Sequence, residues 1–452
     1  MKPEQEKLAG MEESLEELRE TFQSGKTRSA AWRRTQLRAL DKFLHEKEEE
    51  IFKVLNQDLA KHPVEVYRDE LGILVKSVNL ALDSLDKWMA SKKVQIPLVA
   101  FPTKGELVPE PLGVVLIFSS WNFPLGLALD PLIGAISAGN AVVLKPSEMA
   151  PACASLLAKY LPIYLDNKAV KVFEGGPMVG QQLLEQRWDK IFFTGSARVG
   201  RIVMGAAANH LTPVTLELGG KCPAVVDSIT SLEDQEINLL KKTIKNFYGQ
   251  NLKESGNIPK IVNRNQFMRL SNLLKDQMVK DSIIHGGSLD EDKLFIEPTI
   301  LLDPPLDAEI MNEEIFGPLL PIITLNNIQE SIEFIKARPK PLAIYVFTND
   351  ETLKRRVIAE TSSGSVTFND AIIQFACDTL PFGGVGQSGF GRYHGKFSFD
   401  TFSHEKAIMR RNFSDFHFRY PPWNNLKMQF IRAVYHFNYF ELILLVLGLK
   451  RS

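Results

Sequence analysis

The sequence predicts an α/β protein with two doubly wound, Rossmann-like domains and an extended arm after them. Three observations lead there. Between residues 108 and 200, short apolar runs recur, each ending in a glycine- or proline-bearing turn: VPEPLGVVLIFSSWNFP, GNAVVLKPSE, AVKVFEGG and DKIFFTGSARVG. Continuous runs of this kind mark strands buried on both faces of a parallel sheet. A second set, KCPAVVD, IEPTILLD, PLLPIITL and AIYVFTND, follows residue 216, with SIEFIKARP as a helical stretch among them. Finally, 452 residues are too many for one small core.

In order along the chain, residues 11–95 are strongly charged and helical in spacing, as in Leu15, Leu18 and Phe22, then Leu37, Leu40 and Leu44. Val114–Phe118 opens the first buried sheet. The expected divisions are 1–215 with a bridging segment near 95–110, then 216–390, then an arm over 391–430 that includes the charged, aromatic stretch Arg410 to Trp423, and an apolar tail over 431–452.

Composition excludes several classes. A hydrophobic content of 44% and a charged content of 24% are ordinary for a globular protein. A net charge of −1 gives no electrostatic case for nucleic acid. Three cysteines, Cys153, Cys222 and Cys377, are too few for a disulfide scaffold and fit a reducing compartment. The histidines are scattered without HExxH or CxxC, so no metal site is expected. The acidic N-terminus lacks the apolar core of a secretory signal. The tail is apolar from Leu442 to Leu449 and ends in Lys450 and Arg451, but Glu441 interrupts it and it falls short of the roughly 20 residues of a spanning helix. Two readings remain for it: an interfacial or hairpin membrane anchor, or a helix packed on protein. The chain is expected in the cytoplasm, either free or at an intracellular membrane such as the endoplasmic reticulum.

Six motifs carry chemistry. LELGGKCP (216–223) places Glu217 between leucines, where a charge needs a partner or a task. FFTGSARVGR (192–201) reads as strand, turn and helix start; Gly195, Ser196 and Gly200 suit either a pyrophosphate at a helix N-terminus or turn geometry alone. LKPSE (144–148) puts Lys145 and Glu148 at the carboxyl end of a strand, in reach of a nucleotide ribose or in a solvated loop. SSWNFP (119–124) offers Asn122 either to a developing oxyanion or as a turn cap. NEEIFGP (312–318) offers Glu313 and Glu314 for ribose binding or base chemistry, or ends a helix at Gly317 and Pro318. In the glycine-rich run PFGGVGQSGFGRYHGKFSFDTFSH (381–404), His394 is either a catalytic neighbour or a structural histidine.

In this order, WNFP, GNAVVLKPSE, FFTGSARVG, LELGGK, EEIFGP and the 381–404 run resemble the aldehyde dehydrogenases, most closely the class 3, fatty-aldehyde type. TFQSGKTRSAAWRRTQLRAL and the apolar tail agree with that type. The resemblance implies the aldehyde dehydrogenase fold: an NAD(P)-binding domain (1–215), a catalytic domain (216–390) and an arm that builds a homodimer. It implies NAD or NADP as cofactor and a medium- or long-chain aldehyde as substrate, oxidised to the acid through a cysteine thioester. Carried over, Asn122 holds the oxyanion and Lys145 and Glu148 contact the adenosine ribose. Gly195, Ser196 and Gly200 form the phosphate turn, and Glu314 and Phe316 contact the nicotinamide ribose. Glu217 matches the glutamate that activates water, and Glu314 is the alternative for that role in the class 3 type.

One part of the pattern is absent. The family's nucleophile lies in a GQxC motif some 30–35 residues after that glutamate, and no GQxC occurs anywhere in this chain. The simplest account is an internal deletion of about forty residues between Asp227 and Leu239, removing a helix and a core strand. Across the junction, Ser231 and Asp234 resemble a capping box, and Ile237, Leu240, Ile244 and Phe247 form an apolar helical face. Cys222 is expected at the start of a buried strand and therefore inert, and Cys377 nearer the glycine-rich loop. Two functions follow for the chain: an aldehyde dehydrogenase, or an inactive nucleotide-binding or dimer-partner variant with little or no turnover.

Overall fold

The computed structural model describes residues 2–227, 235–413, 415 and 417–449. Its contacts fall into two compact units, residues 1–85 with 111–402 and residues 86–110 with 403–452.

The first unit contains a sheet of five parallel strands, β1 (Val114–Phe118), β2 (Ala141–Lys145), β3 (Val170–Val172), β4 (Lys190–Gly195) and β5 (Val214–Leu218). Their spatial order is β3-β2-β1-β4-β5, and the two-residue strand Gly389–Phe390 adds antiparallel to β5. This is the doubly wound order, whose direction reverses between β1 and β4; ligands bind at the carboxyl ends of the strands beside such a switch point. Every residue of β1 and β2 is buried, as expected for strands covered on both faces. On one face, Leu116, Val143, Ile191 and Leu216 pack with Met11, Leu15 and Leu18 of the N-terminal helix Lys2–Gln23. The helix Gly126–Ala138 is buried on all sides, and Arg33 bonds the carbonyl of Ser137 near its end.

The later strands form two three-stranded sheets and a two-stranded ribbon of Leu289–Asp290 with Phe295–Ile296. β6 (Ala224–Val226) pairs in parallel with β10 (Ala343–Phe347), which pairs with β11 (Ser365–Phe368). β7 (Ile283–His285) and β9 (Leu319–Ile322) flank β8 (Thr299–Leu302), antiparallel and parallel to it respectively. Each three-stranded sheet has its own core, Ile344, Val346, Leu353 and Val357 in one and Phe267, Leu270, Leu301 and Ile310 in the other.

β6 corrects one expectation. Ala224 is exposed and Val226 is 55% exposed, and Cys222 before them is exposed rather than buried. The reason is that β6 ends its sheet, so among the described residues only its β10 side is paired. The helix Gln235–Tyr248 forms, but of its expected apolar face only Ile237 is buried; Leu240 and Phe247 are exposed. The proposed capping pair Ser231 and Asp234 lies outside the described residues, as does most of the junction.

The second unit holds a three-stranded sheet of Lys92–Val94, Lys104–Pro111 and Ser403–Arg410, cross-linked by the ion pairs Lys92–Glu405 and Arg410–Glu106. Two short helices, Asn425–Tyr435 and Tyr439–Val446, pack through Ala433, Val434, Leu442 and Leu445. Among the described residues no helix is long and apolar enough to cross a membrane.

Candidate active site

Glu217 lies in β5, in register with Thr194 of β4 on one side and Gly389 on the other. Gly389 has φ of +120°, and a Cβ there would stand 1.9 Å from the carbonyl oxygen of Leu216, so only glycine allows this pairing. Glu217 is 4% exposed, and neither carboxylate oxygen has a hydrogen-bond partner among the described residues. Burial therefore raises its pKa well above the usual carboxylate range. An unpartnered buried carboxyl is costly to a fold and is characteristic of a group kept for proton transfer.

Asn122 sits in the turn between β1 and the helix Gly126–Ala138, and its side-chain Oδ1 is buried without a partner. The turn itself is pinned. Lys61 Nζ donates to the Asn122 carbonyl at 2.8 Å and to Glu70 at 2.8 Å, while Glu70 accepts the amides of Leu125 and Gly126. Ser119 Oγ and Thr194 Oγ1 are likewise buried and unpartnered. They follow or close β1 and β4, the two strands at the switch point. Both lie inside quoted motifs, yet a hydroxyl there gives no sequence signal of its own.

Lys145 ends β2, is buried, and bonds Glu148 at 2.9 Å. Ser196 caps the helix Ala197–Ala208 by accepting from the Val199 amide; Gly195 precedes it and Gly200 is buried in its first turn. Across from these, a Cβ built on Gly219 would fall 1.7 Å from Glu314 Oε2, so the Glu314 carboxylate rests directly against the glycine backbone after Glu217. It accepts the Gly220 amide, which lowers its pKa, but burial is the larger effect and raises it. Phe316 has φ of +53° and meets Trp121 edge-on, ring centroids 5.0 Å apart. This contact joins the Asn122 turn to the Glu314 loop.

His394 is a structural residue in the fold: it is buried, stacked on Phe382 with centroids 5.1 Å apart, and 3.8 Å from Asp130, and burial lowers its pKa. Among the described residues no group of three or more His, Cys, Asp or Glu could hold a metal ion.

Orphaned polar atoms at the switch point, a capped helix N-terminus beside it, a Lys–Glu pair at the end of β2 and a second acid against Gly219 together suit a dinucleotide. A carboxyl of raised pKa in the same unit suits proton transfer to or from a bound substrate.

Comparison with known proteins agrees. The profile of the aldehyde dehydrogenase family matches residues 3–251 and 230–408. This fold is that of an NAD(P)-type oxidoreductase scaffold, and the chain belongs to the aldehyde dehydrogenase family. Aldehyde dehydrogenase family 3 member F1 of Arabidopsis thaliana is 56% identical, covering 98% of this chain and 99% of that protein. Family 3 member A2 of Macaca fascicularis is 42% identical, covering 97% of each. The substrate-bound AldH of Staphylococcus aureus superposes with a TM-score of 0.91 at 39% identity over 94% of this chain and 99% of that one. The P. syringae indole-3-acetaldehyde dehydrogenase AldA, solved with NAD+, gives 0.80 at 25% identity, covering 90% and 89%. The alignment with the Arabidopsis F1 protein runs over 477 positions against a chain of 452, so at least 25 positions of it have no residue here.

Proposed function

We propose that this chain is an NAD(P)-binding aldehyde dehydrogenase scaffold for medium- and long-chain aldehydes that lacks the family's thiol nucleophile and has little or no dehydrogenase turnover. The observation that supports this reading is Glu217, whose buried carboxyl has no partner among the described residues, together with a sequence that has no GQxC motif to supply the thiol. Cys153 is buried in the helix Pro151–Tyr164 with its thiol pKa pushed up by desolvation. Cys222 is exposed on the β6 approach, its Sγ turned to the Gly220 carbonyl, and partial desolvation raises its pKa as well. Cys377 is half-buried, its Sγ against the Ile373 carbonyl of a short 3-10 turn. Without a thiolate the covalent route is closed, although nucleotide binding survives.

The alignment positions without a residue and the half-paired strand β6 support a missing segment. The exposed Leu239 and Phe247 of the helix Gln235–Tyr248 belong to the surface such a segment would cover. When bound, the cofactor accepts a hydride. Lys145 and Glu148 would hold its adenosine ribose, Ser196 and the helix behind it its phosphates, and Glu314 and Phe316 its nicotinamide ribose. Asn122 would orient the aldehyde carbonyl, and Glu217 or Glu314 would take the proton from water.

The helix pair Asn425–Tyr435 and Tyr439–Val446 exposes Tyr435, Phe437, Phe440, Ile443 and Val446 around its small core. This supports an interfacial contact with an intracellular membrane such as the endoplasmic reticulum by a chain otherwise in the cytoplasm. Homodimerisation, or pairing with an intact sibling, belongs to the same reading.

The test is aldehyde-dependent NADH production by the purified chain beside a version with a family GQxC segment restored. Turnover only in the restored version is the expected result. Turnover in the chain as it stands would overturn the reading and turn attention to Cys377→Ala and Cys222→Ala.

A further inference from the structure

We propose that Arg269 and Lys221 are positioning residues for the nucleotide: they brace the 313–318 loop from both sides so that Glu314 is presented to the nicotinamide-side ribose. The proposal rests on the nucleotide-site reading above.

Arg269 projects from the helix Arg264–Lys275, whose other face buries Phe267, Leu270 and Leu274. Its Nε donates to Gln266 at 2.9 Å, which fixes the plane of the guanidinium. Nη1 then reaches the Glu313 carboxylate at 3.2 Å and the Glu314 carbonyl at 3.3 Å, and Nη2 the Ile315 carbonyl at 2.5 Å. From the other side Lys221 Nζ donates to the carbonyls of Ile310 at 2.6 Å and Glu313 at 3.0 Å. Apart from Gln266, four of the five acceptors are backbone carbonyls, at and just beyond the one-turn helix Glu309–Asn312, where carbonyls have no helical partner.

The bracing answers a specific need. Phe316 is held at φ of +53°, a left-handed conformation that is costly for a non-glycine residue and persists only where its surroundings over-determine it. Arg269 grips the two carbonyls immediately before it, and Leu270 packs so closely on Gly317 that a Cβ there would lie 2.5 Å from Leu270 Cδ1. So braced, the loop sets the Glu314 carboxylate on Gly219 and Gly220 and the Phe316 ring on Trp121. Connecting loops are ordinarily more mobile than the elements they join, whereas this one has two cations bonded to its backbone. Here the loop is the one that carries both nicotinamide-side residues, and Lys221 comes from the same glycine turn that the acid touches.

The experiment compares NADH with ADP, which lacks the nicotinamide half and so reports only the Lys145 and Ser196 side. Both would be titrated against the full chain and its Arg269→Met, Lys221→Met and Arg269→Lys variants. In each Met variant the NADH Kd is expected to rise about tenfold while the ADP Kd stays within about twofold, the difference amounting to one decade of affinity. Arg269→Lys should recover part of the loss, since it keeps the charge but not the fork. Equal loss of ADP and NADH affinity would overturn the proposal, because the residues would then serve the fold alone. Unchanged NADH affinity would overturn it too. Failure of the unaltered chain to bind either ligand would instead sink the nucleotide-site reading and take the proposal with it.

Discussion

Lys61 and Glu70, nine residues apart, form an ion pair of 2.8 Å with side chains only 7% and 0% exposed. The same ammonium holds the Asn122 carbonyl and stands 4.2 Å from the centroid of the Phe123 ring. The far oxygen of Glu70 caps the helix that follows. The turn that carries Asn122 is thus fastened to the N-terminal helical region by two charges.

Removing one of these charges leaves the other buried and unpaired. Glu70→Ala is expected to lower stability by about 3–5 kcal/mol in urea denaturation, the range for breaking a buried pair. Glu70→Gln, which keeps an acceptor for the Leu125 and Gly126 amides, should lose clearly less. Equal losses in the two variants would mean that the amides contribute nothing.

The Glu217 carboxyl gives a pH signature. Its folded pKa lies well above the ordinary 4.5 because of burial. In the window between those values the native state binds the extra proton, so this group's contribution is full below pH 4.5 and lost as pH rises through the folded pKa. Glu217→Gln removes the titration. The variant should match its parent in acid and become progressively more stable than it toward neutral and alkaline pH. A constant difference across pH would show that Glu217 is not protonated in the fold.

Gly389→Ala places a Cβ against the Leu216 carbonyl, a backbone atom that cannot swing away. Combined with the positive φ, this should cost at least about 2 kcal/mol and detach the strand that flanks Glu217. Hydrogen exchange at Leu216 and Phe390 would report the detachment. Wild-type protection there would contradict the pairing.

Thiol labelling separates the three cysteines. The native chain should react with a disulfide reagent at Cys222 and Cys377, and at Cys153 only after unfolding, since burial keeps that thiol protonated and out of reach. Cys222 should react slowly at neutral pH, because its pKa is raised.

Much of the fold was legible in the sequence for a simple reason. A strand covered on both faces, such as Val114–Phe118, must be apolar at every position, and it is found over those same residues. The sheet's doubly wound order then put Asn122 and Lys145 at strand ends, although their roles came from resemblance and not from pattern. What escaped was whatever depends on a distant partner. Val225 packs against the Ile344 and Val346 core, but Val226, read as part of the same buried strand, is exposed, since a strand's burial is decided by its neighbours. Lys61, Glu70 and Arg269 gave no signal in the sequence, because carbonyl acceptors and partners elsewhere in the chain leave no mark on local spacing.

The half-paired strand β6 has a further consequence. Among the described residues its free side pairs with no strand and lies next to exposed valine, a template onto which an extended segment can add. Recovery of this protein from concentrated solution would then be governed by encounters between molecules rather than by the strength of the first sheet. Dilution, not cooling, would be the condition that preserves it.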